Sequence, residues 1–523
     1  MIKRILILIA ITPVALWAQQ TDSLTLMQRM MTHRAAHAQL LEVAYQNPAI
    51  YYDRYESSLT DIGATGAKRS EVRARVPELG SGRDEVAAKV VSFIVNEKNR
   101  LWGTATYHNG TDKDVQWNET SDYALLYPYV MVDSIGGDLP SELYYFKGGY
   151  GYRIRRWTIG AEGSYRALMA YRNVDPRPKN ISSDLNVNLG AAYRYGNYSL
   201  GAALYAGRYK QTNDLEFFNE YGVPNIYHLT GLGNDYYRFR GSKGSVLYQG
   251  SHWGASLNLM PAEVMTEGWS ASVYFDRFGF DKILSEMNDL PINAVREYKW
   301  RGELAWRSDP QLAARWGAAL TSTSVNRIGS HYIYGSSSGV IFPLIATADN
   351  YQNKTTEVTI GGYYERQPTA AMQWGVKPRV AYHRLATRYV SPDNSLSADL
   401  LDATAEVYIG HATSRWYLSA SAEGGYRATL ASHLMLATPP DEDDLILLSP
   451  VAQAYDALAR GWVHYALNAR IDYRISDAWA IYLAAHVAQS VQAPAAPSEL
   501  IVFTPQPPRQ QTISSSLSLG ASF

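Results

Sequence analysis

The chain ends in QTISSSLSLGASF (Gln511 to Phe523), and this stretch alternates between two kinds of side chain. The apolar positions are Ile513, Leu517, Leu519, Ala521 and Phe523, interrupted at Ser515, and the small or polar positions are Thr512, Ser514, Ser516, Ser518, Gly520 and Ser522. Because successive side chains of a β-strand point to opposite faces, the pattern predicts a final strand with one apolar face and an aromatic residue at its end.

The same alternation recurs upstream in DLNVNLGAAYRY (Asp184 to Tyr195), EYKWRGELAWR (Glu297 to Arg307) and VHYALNARIDYRI (Val463 to Ile475). A soluble β-sandwich would also alternate in this way. Short turns, however, are repeatedly followed by a tryptophan, at Trp157, Trp269, Trp316, Trp374, Trp416 and Trp479. If these strands all run in one direction, the tryptophans form a single girdle, as at the interface of a transmembrane β-barrel. The girdle favours a barrel over a sandwich.

The composition narrows the class of protein. The 523 residues include 40 Tyr, 39 Gly and 13 Trp but no Cys, which excludes disulfides and thiolate metal sites. The formal net charge of −1 gives no reason to expect a nucleic-acid partner. Beyond the first residues, no apolar run approaches the ~20 residues that a membrane-spanning helix needs.

The N-terminus predicts export followed by a helix. Residues 1–18 have the basic start, apolar stretch and small final residue of a signal peptide. Residues 19–50 are predicted as a helical segment that either lies in the periplasm or plugs the barrel, because apolar residues recur at helical spacing from Asp22 to Tyr45. Asn47-Pro48 is predicted to end that helix. Residues 51–523 are then predicted to form the barrel.

The connections between predicted strands alternate between short and long. Short ones fall near 96–99, 153–156, 196–197, 262–267, 309–311, 367–371, 411–414 and 475–478, and longer ones lie between them. Periplasmic turns and extracellular loops alternate in this way. We therefore expect an all-β, transmembrane antiparallel barrel of about 18 strands, within a range of roughly 14 to 20. A terminal aromatic residue is the signal that the outer-membrane assembly machinery recognises, and Phe523 is predicted to provide it.

Charged residues of both signs lie on the non-apolar files and are predicted to line the lumen, because a lipid-facing Arg or Lys costs about 2–4 kcal/mol at the midplane. They form either a polar conduit or a lumen closed by salt bridges. The set is Glu162, Arg166, Asp184, Arg194, Glu297, Lys299, Arg301, Glu303, Arg307, Lys377, Arg379, Glu423, Arg427, Arg470, Asp472 and Arg474.

The segment Val115 to Leu143 mixes aromatic rings with carboxylates and amides. It is predicted to be an extracellular loop, and whether it folds into the lumen is left open by the sequence. It either binds a sugar, a peptide or a small organic ligand, or forms an ordered lid. The candidate ligand-binding residues are Trp117, Asn118, Glu119, Asp122, Tyr123, Tyr127 and Tyr129. Two other loops are expected at the surface, one carrying the acidic run PPDEDD (439–444) and one the prolines from Pro494 to Pro508.

The chain has no HExxH motif and no phosphate-binding glycine loop. We therefore predict no catalytic residue, no metal site and no cofactor. An outer-membrane hydrolase stays open as a remote alternative, because a triad assembled only in space leaves no linear motif.

The strings RLWGTATYHNG (Arg100 to Gly110), WNETSDYALLYPYV (Trp117 to Val130) and GGDLPSELYYFKGGY (Gly136 to Tyr150), with QNPA at Gln46 to Ala49, resemble a family of Bacteroidota outer-membrane β-barrels of unassigned function. The resemblance runs from about Gln46 to Phe523 and implies the fold and an integral outer-membrane location. It implies no catalytic residues. It also implies an accessory role in nutrient capture, because such barrels often lie beside TonB-dependent transporters and surface lipoproteins.

The sequence thus predicts a channel or transport-associated barrel for small polar nutrients. The alternative is a closed accessory or scaffold barrel that partners a TonB-dependent transporter or a surface lipoprotein. The other expected partners are outer-membrane lipid and the assembly machinery.

Overall fold

The structure is a computed structural model that describes residues 24–218, 226–241, 245–263, 266–336, 342–369, 371–438, 442–493 and 510–523. The predicted signal peptide, residues 439–441 of the acidic run and the proline-rich stretch 494–508 lie outside the described residues.

Eighteen of the strands form one antiparallel sheet, and three short strands form a separate small sheet. In chain order the strands are β1 (Leu59–Glu71), β2 (Gly82–Val95), β3 (Asn99–Val115), β4 (Met131–Val132), β5 (Gly137–Ile154), β6 (Trp157–Tyr171), β7 (Arg177–Tyr195), β8 (Tyr198–Glu216), β9 (Tyr227–Gly231), β10 (Asn234–Asp235), β11 (Val246–Pro261), β12 (Gly268–Leu284), β13 (Leu290–Arg307), β14 (Ala314–Tyr334), β15 (Leu344–Thr369), β16 (Met372–Tyr389), β17 (Asn394–Ala412), β18 (Trp416–Met435), β19 (Trp462–Arg474), β20 (Ala480–Gln492) and β21 (Gln511–Ser522).

The large sheet is a closed barrel. Each of its strands pairs with the next one along the chain, β8 pairs with β11 across the small strands, and β21 pairs with β1 so that Ser522 lies opposite Asp61. The terminal residue is part of this closure, because Phe523 and Thr60 exchange two backbone hydrogen bonds of 2.8 and 2.9 Å. The predicted antiparallel barrel of about 18 strands is confirmed.

The apolar files face outward. Leu204 and Leu257 are each 68% exposed and Leu467 is 61% exposed, although they lie in the middle of long strands. A soluble sandwich would bury these side chains against a second sheet. The alternation therefore belongs to a barrel whose outer surface is apolar and whose interior is polar.

The six predicted tryptophans lie within two residues of the start of a strand, at the end of the barrel that carries the short turns. Several pack at a tilted angle against an aromatic neighbour across the strand pair. The ring centroids are 4.8 Å apart in Trp157–Tyr193, 4.2 Å in Trp306–Trp316, 5.8 Å in Tyr364–Trp374, 4.6 Å in Trp416–Tyr473 and 4.2 Å in Trp479–Phe523. Phe523 is thus one member of an aromatic rim.

The chain before β1 lies inside the barrel at the short-turn end, and residues 24–58 are called the inner segment below. It contains helices Leu26–Arg34, Ala36–Gln39 and Pro48–Tyr51 and a 3-10 turn at Ala44–Gln46. The predicted helix is therefore shorter than expected, because it ends at Arg34 and Ala35 has an extended backbone. The barrel also begins later than predicted, at Leu59 instead of residue 51.

Loops fill the opposite end of the barrel. Residues 116–136, called the lid below, contain helix Tyr123–Leu126 and β4, which pairs with β9 of the loop between β8 and β11. Helix Leu448–Leu458 and 3-10 turns at Pro77–Leu79, Tyr237–Phe239, Ser285–Met287 and Glu442–Leu447 complete this end. Among the described helices, none has the length and apolar character needed to cross a membrane.

Candidate functional site in the barrel lumen

The inner segment reaches across the whole lumen. On one side Leu26, Met27 and Met30 pack with wall residues of β1, β18 and β20. On the other side Leu41 and Ile50, with their neighbours, pack with wall residues of β7, β11, β13 and β14. The segment therefore occupies the cross-section at the short-turn end.

Asn47, Pro48 and Ala49, called the latch below, fit a notch made by three glycines on β6, β7 and β8. A Cβ added to Gly160 would lie 2.4 Å from the carbonyl carbon of Pro48, and one added to Gly190 would lie 2.1 Å from Asn47 Oδ1. Asn47 is fully buried, and its Nδ2 donates to Asn258 Oδ1 at 2.9 Å. At Gly160 and Gly190, only a residue without a side chain leaves room for the latch.

Glu303 in β13 holds the middle of the inner segment. Its carboxylate accepts hydrogen bonds from the backbone N–H groups of Glu42, Val43 and Ala44 at 2.7, 3.1 and 3.1 Å. N–H groups at the start of a helical turn have no partner within the turn. The Glu303 carboxylate therefore accepts the hydrogen bonds that these N–H groups cannot make within the turn. With such partners on the wall, the inner segment can form several short helical turns instead of one long helix.

Glu365 and Asp472 hold the first part of the segment in the same way. Glu365 accepts from the backbone N–H of Ala36 at 3.2 Å and from the Tyr408 hydroxyl at 2.6 Å. Arg34 forms an ion pair of 3.3 Å with Asp472, which is fully buried. Three inward carboxylates thus fix the segment by charge-assisted hydrogen bonds.

The lid is fixed to the opposite end of the wall through Arg172. Its guanidinium lies 2.6 Å from a carboxylate oxygen of Glu119 and 2.6 Å from one of Asp133, and all three side chains are at most 1% exposed. The backbone carbonyl of Glu119 also accepts from the amides of Asn180 and Asn213. The lid is therefore docked against the wall through buried polar contacts.

The predicted ligand-binding residues of the lid mostly contact protein groups. Asp122 accepts both N–H groups of Arg166, at 2.9 and 2.7 Å, and the hydroxyl of Tyr209 at 2.8 Å. The remaining contacts are Asn118 to the Glu78 carbonyl, Tyr123 to the Glu78 carboxylate, Tyr127 to the Leu232 N–H, Trp117 to the Tyr227 ring and Tyr129 in the apolar core of the lid. A ligand role for these residues stays a prediction.

The predicted lumen residues lie on the inward files, and most have a partner of opposite charge on another strand or on the inner segment. The ion pairs are Glu162–Lys147, Arg166–Asp122, Arg194–Glu263, Glu297–Arg327, Arg301–Glu42, Lys377–Glu406, Arg379–Glu357, Arg427–Asp402, Arg470–Asp61 and Arg474–Asp477. In addition, Asp184 lies near His252 and Glu423 lies near His464. Lys299 and the buried Arg307 complete the set.

Between the inner segment and the lid lies a polar chamber made of three cavities. The first, of ≈ 800 Å³, lies under the lid against β1, β2 and β21; the second, of ≈ 610 Å³, lies between the inner segment and β5–β12. The third, of ≈ 430 Å³, lies above Arg34 and shares Gln39 with the second and His486 with the first.

The second cavity brings together residues that the sequence did not single out, among them Lys147, Tyr205, His252, Tyr274 and Asp276. They lie on the same polar files as the predicted residues, so the alternation could have included them. Within the described residues, no group of three or more His, Asp or Glu side chains could hold a metal ion.

Comparison with known proteins gives one family match. A family model described as "Family of unknown function (DUF6850)" matches residues 48–523. No curated protein matches the chain.

Solved structures with similar folds include the ferric preacinetobactin receptor BauA from Acinetobacter baumannii, with 10% identity over 88% of this chain and 79% of that one and a TM-score of 0.40. A bacterial polysaccharide outer membrane secretin has 11% identity over 89% and 98% of the chains, with a TM-score of 0.35. The CymD monoaromatic hydrocarbon channel has 10% identity over 92% and 93%, with a TM-score of 0.28. At these values the similarities carry no argument about this chain.

Proposed function

Since the chain belongs to the DUF6850 family of unknown function, we propose from its own architecture that it is an integral outer-membrane β-barrel that transports small polar solutes through a gated lumen. The inner segment and the lid are the two gates, and the chamber between them receives the solute.

The outer surface supports a membrane location. The outward files are apolar over the middle of the strands, and the aromatic rim at the short-turn end is typical of the interface girdle of a membrane barrel. A closed barrel also satisfies every backbone hydrogen bond of its strands, as lipid requires. The predicted signal peptide and the resemblance to Bacteroidota barrels favour the outer membrane.

The observation that carries the transport proposal is the polar chamber between two non-covalently held gates. Its walls bear paired charges and amides, with Glu162, Arg166 and Asp184 among them. A barrel with a purely structural role has no need for an interior cavity of this size lined by charged side chains. The gates are held by hydrogen bonds and ion pairs, so they can move without breaking the wall.

Single-channel recording in a planar bilayer tests the proposal. We expect the purified wild-type barrel to be mostly silent, because the inner segment crosses its lumen. Gly160→Ala forces a Cβ against the backbone of Pro48 and should displace the latch, so that stable conductance steps become frequent. Glu303→Gln should act in the same direction, because it removes the charge that holds three backbone N–H groups.

Gly148→Ala is the matched control, because a Cβ at this position on β5 meets no atom within 4 Å. It should behave as the wild type does. If Gly160→Ala and Glu303→Gln both remain silent while heat-modifiable migration in gels demonstrates folded barrels, gated transport is wrong.

The second candidate is a closed accessory barrel that partners a TonB-dependent transporter or a surface lipoprotein. The exposed apolar residues beyond the barrel mouth favour it: Leu344 and Ile345 lie near the tip of the β14–β15 hairpin, and Tyr237 lies in the loop between β8 and β11. A stable complex that is lost in Ile345→Asp, together with silence of all gate variants, would select this function.

A further inference from the structure

The ≈ 610 Å³ cavity of the chamber has the features of a binding site. Its floor is the inner segment from Gln39 to Arg54, and its walls are the inward files of β5 to β12. Its volume falls within the range of pockets that enclose small molecules. Both the barrel wall and the inner segment line this cavity, so a solute bound in it would contact the wall and the inner segment at once.

Four buried oxygen atoms at this cavity accept no hydrogen bond within the described residues: Gln46 Oε1, Asn186 Oδ1, Asn188 Oδ1 and Asp276 Oδ1. The amide groups of the two asparagines are held in place, because Asn186 Nδ2 donates to Asp184 at 3.2 Å and Asn188 Nδ2 donates to the Gln46 carbonyl at 2.6 Å. Buried acceptors without donors are uncommon in folded proteins. The cavity therefore calls for a ligand that supplies several hydrogen-bond donors.

Arg54 Nε is the corresponding buried donor without an acceptor at the cavity, again among the described residues. Its guanidinium lies over the rings of Tyr45, Tyr51 and Tyr55, at 5.0, 5.2 and 5.2 Å from their centroids. Among the buried side-chain atoms without a hydrogen bond at this cavity, acceptors thus outnumber donors four to one.

Most charges at the cavity are paired, and the two lining charges without an ion pair among the described residues, Asp276 and Arg54, have opposite signs. Lys147 pairs with Glu162 at 2.8 Å, Glu42 pairs with Arg301 at 3.6 Å, and the imidazole of His252 approaches Asp184 at 3.5 Å. A site for a cation would be expected to hold uncompensated carboxylates, and a site for an anion would hold uncompensated cations. Balanced charges with surplus acceptors favour an uncharged ligand that carries hydroxyl groups.

Aromatic rings provide a flat surface beside these acceptors. Tyr205 and Tyr274 stack with centroids 5.2 Å apart and an angle of 4°, and the His252 ring lies 6.0 Å from Tyr205. Such a surface suits the apolar face of a ring compound, while the acceptors bind the donors at its edge.

We propose that this cavity binds a small, uncharged, polyhydroxylated ring compound of monosaccharide size. The inference rests on the proposed function and names its solute class. The hydroxyl groups donate to Asn186, Asn188 and Asp276 on the wall and to Gln46 on the inner segment, and the ring lies against the tyrosine pair.

Equilibrium dialysis of the purified full chain in detergent tests the site, with radiolabelled D-glucose, D-mannose and N-acetyl-D-glucosamine as sugar probes and choline and inorganic phosphate as charged probes. At least one sugar should bind and the charged probes should not. The Asn186 side chain makes no described hydrogen bond to the inner segment, because its amide donates to Asp184. Asn186→Ala should weaken sugar binding by about tenfold, since it removes a hydrogen bond to the ligand.

Asn468→Ala is the matched control, because Asn468 is also a lumen asparagine but lines the ≈ 430 Å³ cavity instead. It should leave sugar binding unchanged. The site assignment is wrong if no sugar binds to a folded wild-type barrel, if choline or phosphate binds in their place, or if Asn468→Ala weakens binding as much as Asn186→Ala. If the barrel binds sugar but never conducts, the transport proposal is wrong and the site assignment stands. If Gly160→Ala conducts but no sugar binds, the site assignment is wrong and the transport proposal stands.

Discussion

At the scale of single residues, Arg172 shows how burial changes the value of an ion pair. It joins Glu119 and Asp133 in a region that water does not reach, and it also donates to the carbonyl of Val174 at 3.2 Å. Five positions further along, at the start of β7, Arg177 pairs with Asp175 at 2.7 Å but keeps 40% of its side chain exposed. Similar distances therefore correspond to very different energies.

Arg172→Met should undock the lid, because it leaves two buried carboxylates without a cation. Removing one partner of a buried pair costs about 3–5 kcal/mol. Arg177→Met should cost at most about 1 kcal/mol, since exposed pairs contribute little. Limited proteolysis with chymotrypsin, which cuts after the aromatic residues of the lid, measures the difference. Equal protection of residues 116–136 in the two variants would contradict a structural role of the Arg172 cluster.

At the scale of elements, the inner segment depends on the barrel for its conformation. Its helical turns are completed by Glu303 and Glu365, which follow it by hundreds of residues in sequence. Its spacing of apolar residues did predict helix, but the break after Arg34 could not be predicted, because local sequence does not reveal which wall carboxylate will face which N–H group. The glycine notch was equally hidden, since three separate strands must align to form it.

Acidification should release the inner segment. Burial lowers the pKa of His37 to about 3, with the charges of Arg315 and Arg307 acting in the same direction, and burial lowers the pKa of His33 to about 4. A released histidine titrates near 6.5, so the docked segment binds fewer protons. Docking is thus fully stable above pH 6.5 and loses stability as the pH falls from 6.5 toward 4. For His37 alone the loss at pH 5 is about 2 kcal/mol.

Bilayer recording at pH 7.5 and pH 5 measures this release. Conductance steps should be more frequent at pH 5 in the wild type, and His37→Gln, which cannot titrate, should reduce the difference. A wild-type barrel that is equally silent at both values would mean that the histidines do not control docking.

At the scale of the whole molecule, the sequence predicted what is local and repeated. Strand alternation, the tryptophan rim and the alternating connection lengths each depend on a few neighbouring residues, and the 18-stranded barrel follows from them. The partners of the lumen charges could not be predicted, because they depend on the register between strands. Arg301 illustrates this, since its partner is Glu42 of the inner segment.

The open barrel should select ions by its remaining lumen charges. Arg379 is on the inward file of β16 and 56% of its side chain is exposed, so Arg379→Glu in the Gly160→Ala background should shift the reversal potential toward cation selectivity. Arg384→Glu, on the outward file of the same strand, is the control and should leave the potential unchanged. Arg301→Glu should instead loosen the inner segment. Identical reversal potentials in all three variants would remove Arg379 from the conduction path.

The β1–β21 pairing also determines an order of events during biogenesis. Every other strand pair of the barrel joins consecutive barrel strands, whereas this seam joins Asp61 to Ser522, which are 461 residues apart in sequence. We expect a contact between residues so far apart in sequence to form late, because its loop-closure entropy is the largest in the barrel. Residues 24–58 lead directly into the first seam strand, so we expect them to be positioned while the sheet is still an open arc. The curling sheet then closes around them, and the lumen never exists as an empty tube.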